Sequence, residues 1–219
     1  PTTCRRQRQM CIRDRYTTSH PINMDDELID LHSNNKKLMP FLHLPVQSGS
    51  SKILKMMNRK YDVEFYRDII FKIRDKRPNI EISSDFIIGY PGESEQDFIN
   101  TLELIDDIKF TQSYSFIYSA RPGTKSAMIE DNLTKKVKSE RLKILQSKLT
   151  EIQHDFNKTH VGKKTSVLIE NQSTTNPEYY FGRTPYMQSV YIKSNNLTNG
   201  EEKDIELESC NHKSLYGTC

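Results

Sequence analysis

No tryptophan occurs in this 219-residue chain, glycine is limited to eight positions and cysteine to four: Cys4, Cys11, Cys210 and Cys219. Four thiols without paired spacing exclude a disulfide framework and make a reducing cytoplasm the expected setting. No run of about 18 apolar residues is present, which excludes a membrane-spanning helix. Residues 1–15 have no apolar core of the kind a secretory signal needs. Absent too is any glycine-rich loop of the P-loop or dinucleotide type, which argues against a phosphate-binding metabolic barrel. His154 and His160 stand apart from any third ligand, so no metal site is expected from them. Positive charge is scarcer than the formal +3 suggests. Residues 1–15, PTTCRRQRQMCIRDR, hold five arginines and one aspartate, and the other 204 residues sum to −1, with 27 basic against 28 acidic side chains. Net charge therefore gives no case for nucleic-acid binding.

What is present begins to show a pattern at residue 16. The arginine-rich head, residues 1–15, has neither helical nor strand period, and the body of the chain prefers lysine. It resembles translated adapter read-through and is expected to make few contacts with the fold; a flexible basic arm that binds phosphate is the alternative. Tyr16-Thr17-Thr18 is β-prone and leads into Ser19-His20-Pro21, and Asp25-Asp26-Glu27 opens a short helix. Phe41 to Val46 reads as a strand, after which Ser50 or Ser51 can cap a helix. A helix after Asp62 puts Tyr66, Ile69, Ile70 and Ile73 on one face, and Pro78 closes it. Residues 80–88 read as a strand buried on both faces. Ser94 with Asp97 then starts a helix in the manner of a capping box, and QSYSFIY, residues 112–118, is a further strand.

Strand, loop and helix thus repeat four times in about 120 residues, with crossovers long enough for parallel pairing. The class is α/β, a doubly wound sheet or part of a barrel. A long helix over about 135–156 carries Val137, Leu142, Leu145, Leu149, Ile152 and Phe156 on one stripe. Lys135, Lys136, Lys138, Arg141, Lys143 and Lys148 occupy its other faces. The period then drops to two, with short strands at 165–169, 189–192 and 204–207. The expected organisation is a unit over 16–156 and a small all-β unit over 157–219.

Ligands of parallel α/β folds sit outside the carboxyl ends of the strands. His20-Pro21, Gln47-Ser48-Gly49, Gly89-Tyr90-Pro91-Gly92-Glu93 and Arg121-Pro122-Gly123 all fall at such ends. A Gly-Pro-Gly turn alone serves structure as readily as function, but several small or polar strand ends on one rim favour a bound cofactor. Gly89, Pro91 and Gly92 would let backbone approach it, Gln47 and Ser48 would supply hydrogen bonds, and Glu93 or Arg121 would supply charge. Glu93 also sits at a helix start, where the dipole favours a carboxylate. His20 and His43 are expected to pack or cap rather than to react.

The stretches HLPVQSGSSKILKMMNRKY, ISSDFIIGYPGESEQDF and SYSFIYSARPGT closely resemble the methylthiotransferase branch of the radical S-adenosylmethionine (SAM) enzymes, best the members acting on N6-dimethylallyladenosine in tRNA. GRTPYMQSVYI and KSLYG extend the likeness into the β unit, which resembles a TRAM domain, a small OB-like barrel that holds RNA. The resemblance implies the carboxyl-terminal part of a partial (β/α)6 radical SAM barrel followed by that TRAM domain. It further implies S-adenosylmethionine and two [4Fe-4S] clusters as cofactors, and the tRNA anticodon stem-loop as partner. Carbon 2 of the adenosine would receive the methylthio group by radical chemistry, and RNA contacts would come from Lys163, Lys164, Arg183 and Tyr186. The family holds its clusters with cysteine thiolates, the radical one on a C-x3-C-x2-C loop, and no such spacing exists here. The chain is therefore expected to be a carboxyl-terminal portion, inactive alone. A methylthiotransferase for threonylcarbamoyl-adenosine or for a ribosomal protein, and a non-catalytic RNA-binding module, remain as alternatives.

Overall fold

The computed structural model describes residues 13–14, 20–174 and 176–219. The strand expected at Tyr16-Thr17-Thr18 and most of the arginine-rich head lie outside the described residues. Three parallel strands form the first unit in chain order: β1 (Phe41–His43), β2 (Glu81–Ile88) and β3 (Gln112–Ile117). Four α-helices precede or join them: α1 (Asp26–Asn34), α2 (Ser51–Met56), α3 (Val63–Lys76) and α4 (Glu95–Ile108). Each starts on a side-chain cap. Asp25, Ser50, Asp62 and Ser94 accept from backbone N–H groups of the first turn, and Ser94 and Asp97 complete a reciprocal capping box.

Alternation along β2 sends Ile82, Ser84, Phe86 and Ile88 into a core shared with Leu42, Tyr66, Ile73, Leu104 and Phe110. Phe86 meets Phe110 edge to face at 5.3 Å, and the Tyr66 hydroxyl donates to the Leu44 carbonyl. Burial on both faces, expected for this strand, does not hold among the described residues. Ile87 is only half-buried, and on the same side of the sheet Tyr114 and Phe116 are 64% and 56% exposed. At the other end of β2, burial pushes the Glu81 carboxyl up to about 7, opposed in part by Arg74. That value lies above the roughly 4.3 of an unfolded glutamate, so the folded form holds the extra proton in between. Stability contributed at this site falls as pH rises from about 4 through 7. Glu81→Gln should flatten the loss of urea resistance between pH 5 and 8; identical slopes for the two proteins would remove Glu81 as the cause.

Helix α5 (Lys135–Lys158) leaves the first unit and enters the second. Leu145 and Leu149 join the core. Lys138 and Arg141, on the faces away from the apolar stripe, are buried, Lys138 pairing with Asp131 and Arg141 with Glu93. The second unit is a closed barrel in the order β4-β5-β6-β8-β7, formed by β4 (Lys164–Gln172), β5 (Tyr179–Arg183), β6 (Ser189–Lys193), β7 (Glu202–Cys210) and β8 (Ser214–Thr218). Two of these, β5 and β8, are additional to the three strands read from the period. Val167, Ile169, Val190, Ile192, Ile205, Leu207 and Leu215 fill its interior.

The units meet at the end of α5. Tyr186 packs edge-on against Phe156 and His160 at 5.7 and 5.5 Å. Asn157 donates to the Asn211 carbonyl and accepts from Gln188. Of residues 1–15, only Arg13 and Asp14 are described, and both contact the fold. Arg13 donates to the Arg183 carbonyl, Ser166 Oγ and Glu202, and the Asp14 carbonyl accepts from Met39. The rest of that segment lies outside the described residues, apart from these two.

Candidate functional site

The carboxyl ends of β1, β2 and β3 come together, and each contributes a loop to one rim. After β1 the chain continues beside β2 for one more step. The Gln47 N–H donates to Asp85 and its carbonyl accepts from Ile87, at 3.0 and 2.9 Å, and Gln47 then turns with φ 77°. Ser48 is buried and its Oγ accepts from the Ser50 N–H. Gly49 is pressed onto α4: its N–H donates to Thr101 Oγ1, and a Cβ there would sit 2.5 Å from the Thr101 Cα. The small residue is therefore required by helix packing, not by a ligand.

The turn after β2 has a similar answer. Gly89 takes φ 72°, and a Cβ would collide with the Lys138 side chain at 2.6 Å. What comes close to the Gly89 backbone is α5. Pro91 is buried, and Glu93 turns inward, accepting from the Gly89 N–H at 3.1 Å and from Arg141 Nη1 at 2.6 Å. Burial raises the Glu93 carboxyl against the opposing pull of Arg141 and the Gly89 N–H. Arg141 also reaches Glu95 at 2.7 Å and lies over the Phe98 ring.

In front of this framework lies an open groove in two joined lobes of about 460 and 670 Å³. Gln47, Arg59, Ile87, Phe116, Tyr118 and Arg121 line the first. Lys55, Met56, Asn58 and Tyr90 line the second, which shares Arg59, Ile87 and Tyr118 with the first. Tyr90 stands edge-on to Tyr118 at 4.9 Å and donates to the Met56 carbonyl; burial raises its hydroxyl, with a hydrogen bond to Ser126 acting against that. Of the residues expected to bind a cofactor, the structure thus brings Gln47 and Arg121 together at the groove. Ser48, Gly89, Pro91, Gly92 and Glu93 do not line it; the Ser48 hydroxyl, the Gly89 N–H and the Glu93 carboxylate are engaged within the protein. Arg59, Tyr118 and Phe116 were not singled out from the sequence. Tyr118 directly follows β3 and could have been found by extending the strand-end rule by one residue; Arg59 follows a helix and carries no such signal.

Two arginines offer a bidentate partner for a carboxylate, Ile87, Phe116 and Tyr118 offer flat apolar walls for a purine, and the Gln47 amide offers directional hydrogen bonds. That donor set suits an amino-acid-bearing nucleoside. Iron–sulfur ligation does not fit the described residues. Cys210 is half-buried and Cys219 exposed, both free, Cys4 and Cys11 lie outside the described residues, and no cluster of metal-ligating side chains occurs among the described residues. His20 accepts from the Ile22 N–H and packs on Tyr61, burial lowering its pKa. His43 is hydrogen-bonded to Ser83 Oγ at 2.6 Å and lies 3.6 Å from Asp85.

On the barrel, Lys163 and Lys164 are exposed at the start of β4. Arg183 is half-buried, donating to the Met187 carbonyl and Ser189 Oγ, 3.5 Å from Glu170 and over the Phe181 ring. Tyr186, expected to stack on a base, belongs to the junction with α5, where Phe156 and His160 occupy its sides.

The Radical SAM superfamily model matches residues 10–105, and the TRAM domain model matches residues 158–219. The tRNA-2-methylthio-N(6)-dimethylallyladenosine synthase of Rickettsia felis is 51% identical over 206 residues, 94% of this chain and 46% of that protein. The synthase of the same name from Rickettsia canadensis is 55% identical over 184 residues, 84% of this chain and 41% of that protein. The chain spans about half the length of the curated relatives it matches. Among solved structures, coproporphyrinogen III oxidase (HemN) from Escherichia coli, a radical SAM enzyme, aligns with a TM-score of 0.51 at 17% identity, over 76% of this chain and 45% of that one, a likeness of fold. No helix among the described residues is long and apolar enough to cross a membrane. With a parallel sheet that ends in a shared rim groove and a closed five-stranded barrel, the chain resembles the Radical SAM superfamily over residues 10–105 and a TRAM domain over residues 158–219, and is similar over most of its length to part of the tRNA-2-methylthio-N(6)-dimethylallyladenosine synthases.

Proposed function

We propose that the chain supplies the cofactor-facing rim and the RNA-holding barrel of a cytoplasmic enzyme that adds a methylthio group to carbon 2 of N6-dimethylallyladenosine at position 37 of tRNA. The observation that carries this reading is the 51% identity with the Rickettsia felis synthase across 94% of the chain, groove and barrel alike. S-adenosylmethionine, when bound, would supply the radical chemistry and the methyl group. Arg59 and Arg121 would hold its carboxylate, Gln47 would fix its polar edge, and Ile87, Phe116 and Tyr118 would keep water from its apolar faces. Ser48, Gly89, Pro91, Gly92 and Glu93 would serve the same site by holding the rim in shape. The two [4Fe-4S] clusters of the family need thiolates that the cysteines of this chain do not supply, so no step is assigned to them here. Lys163, Lys164 and Arg183 would meet the phosphates of the anticodon stem-loop, contacts that position rather than specify.

Joining residues 20–219 to the portion of the Rickettsia felis relative that this chain does not span gives the direct test. In cells lacking the modification, the chimera should restore the 2-methylthio nucleoside in hydrolysed tRNA, measured by mass spectrometry. A soluble, cluster-loaded chimera that leaves the dimethylallyl nucleoside unchanged would overturn the proposal.

A further inference from the structure

Three strands of the barrel present an aromatic row to the outside. Phe181 on β5 is directly opposite Tyr191 on β6, and Tyr191 is directly opposite Tyr216 on β8. Their chain neighbours Tyr180, Val190, Ile192 and Leu215 are buried in the barrel core, so the alternation of strand side chains turns this row outward. Ring centroids are 5.5 Å apart for Phe181–Tyr191 and 5.7 Å for Tyr191–Tyr216, the latter pair with planes only 20° apart. The Arg183 guanidinium lies 5.1 Å from the Phe181 ring and lengthens the row at one end. At the other end Asn211 donates to the Tyr216 hydroxyl and fixes that ring. All three rings remain partly exposed.

We propose that this row is a stacking platform for an unpaired segment of RNA, one that takes over the role expected of Tyr186. The inference rests on the reading that the barrel handles RNA. Cross-strand aromatic pairs do stabilise sheets, yet the interior of this barrel is already filled by eight aliphatic residues and Tyr180. A contiguous row left on the surface has the flat, sequence-tolerant faces on which single-stranded bases stack. Paired RNA does not offer such faces, because its bases are stacked on one another. Charge does not select the site. Arg183 lies near Glu170 and Lys193 near Glu178, and Thr218 donates to Glu208. Binding here should therefore depend on rings more than on phosphates, with a shallow dependence on salt.

The test uses the 219-residue chain and a fluorescently labelled RNA hairpin with an unpaired loop, followed by anisotropy. Tyr191→Leu should weaken binding about tenfold, the loss of one stacked base, whereas Tyr191→Phe, which keeps the ring, should stay within about twofold. A Leu variant that binds as tightly as the unsubstituted chain overturns the platform and leaves RNA binding by the barrel standing. An unsubstituted chain that binds no hairpin at low salt overturns the RNA reading, and the platform with it. Ultraviolet crosslinking of the unsubstituted chain, mapped by mass spectrometry, gives an answer that does not depend on how the variants fold. Adducts on Phe181, Tyr191 or Tyr216 support the platform, and adducts confined to other segments overturn it.

Discussion

Replacing Arg141 with alanine should lower the stability of the parallel-sheet unit by about 3–5 kcal/mol, the range for removing one partner of a buried ion pair. The Arg141 and Glu93 side chains are only 7% and 3% exposed. Without the guanidinium, Glu93 keeps a single N–H donor, from Gly89, and must either stay charged in a dry place or take up a proton. The expected signature is a lower urea midpoint that worsens as pH rises. Every α-helix described ends by Lys158 and the barrel is all strand, so ellipticity at 222 nm follows the damaged unit alone. Glu93→Gln combined with Arg141→Met should recover much of the loss, because it removes both charges and keeps a group to accept from Gly89. A midpoint unmoved by Arg141→Ala would mean that the pair is solvated and does not anchor α5.

Asp97→Ala should cost about 3 kcal/mol at neutral pH, from charge-assisted hydrogen bonds in a part-buried position. One carboxylate ties two helix starts together: it accepts from Ser50 Oγ at 2.7 Å, Lys52 Nζ at 2.8 Å and the Ser94 N–H at 2.8 Å. Burial alone would raise its pKa, but the hydrogen bonds from Lys52, Ser94 and Ser50 outweigh it and hold the group well below the usual carboxylate range. A folded value below the unfolded one, roughly 3.9, means that this stabilisation is present above about pH 4 and is lost as pH falls through the folded value. The gap between wild type and Asp97→Ala in chemical denaturation should accordingly close in strong acid. A gap of constant size down to pH 2 would exclude the charge as its source. Because Ser50 leads out of the loop that holds Gln47, the same substitution should loosen one wall of the groove.

Local signals were legible wherever the chemistry is local. Ser50, Asp62, Ser94 and Asp97 announce their helix starts by residue type and spacing, and the structure uses them as caps. The strand-end rule likewise brought Gln47 and Arg121 to one groove. The failures share a physical cause, the meeting of distant segments. Lys138 and Arg141 look like surface residues until Gly89 and Glu93, some fifty positions earlier, are folded against them. Strands β5 and β8 were hidden because Gly182 and Gly217 interrupt their apolar period, yet those glycines allow neighbouring strands to approach where a Cβ would strike the Leu168 and Glu206 carbonyls. Tyr186, read as a stacking ring, also packs against Phe156 and His160, a contact between segments that the sequence does not show.

Helix α5 passes from the rim to the barrel in 24 residues without a break, a span of about 36 Å at 1.5 Å per residue. Its length is therefore also an angle. One residue inserted near Gln153, beyond the last core contacts, would advance the barrel by about 1.5 Å and swing it by about 100° around the helix axis, turning every barrel face, the aromatic row included, to a new heading. Seven inserted residues would return it to within about 20° of its original heading, displaced but facing the same way. The number of residues in this helix acts as a phase setting, and changes to it should be tolerated in steps of whole turns.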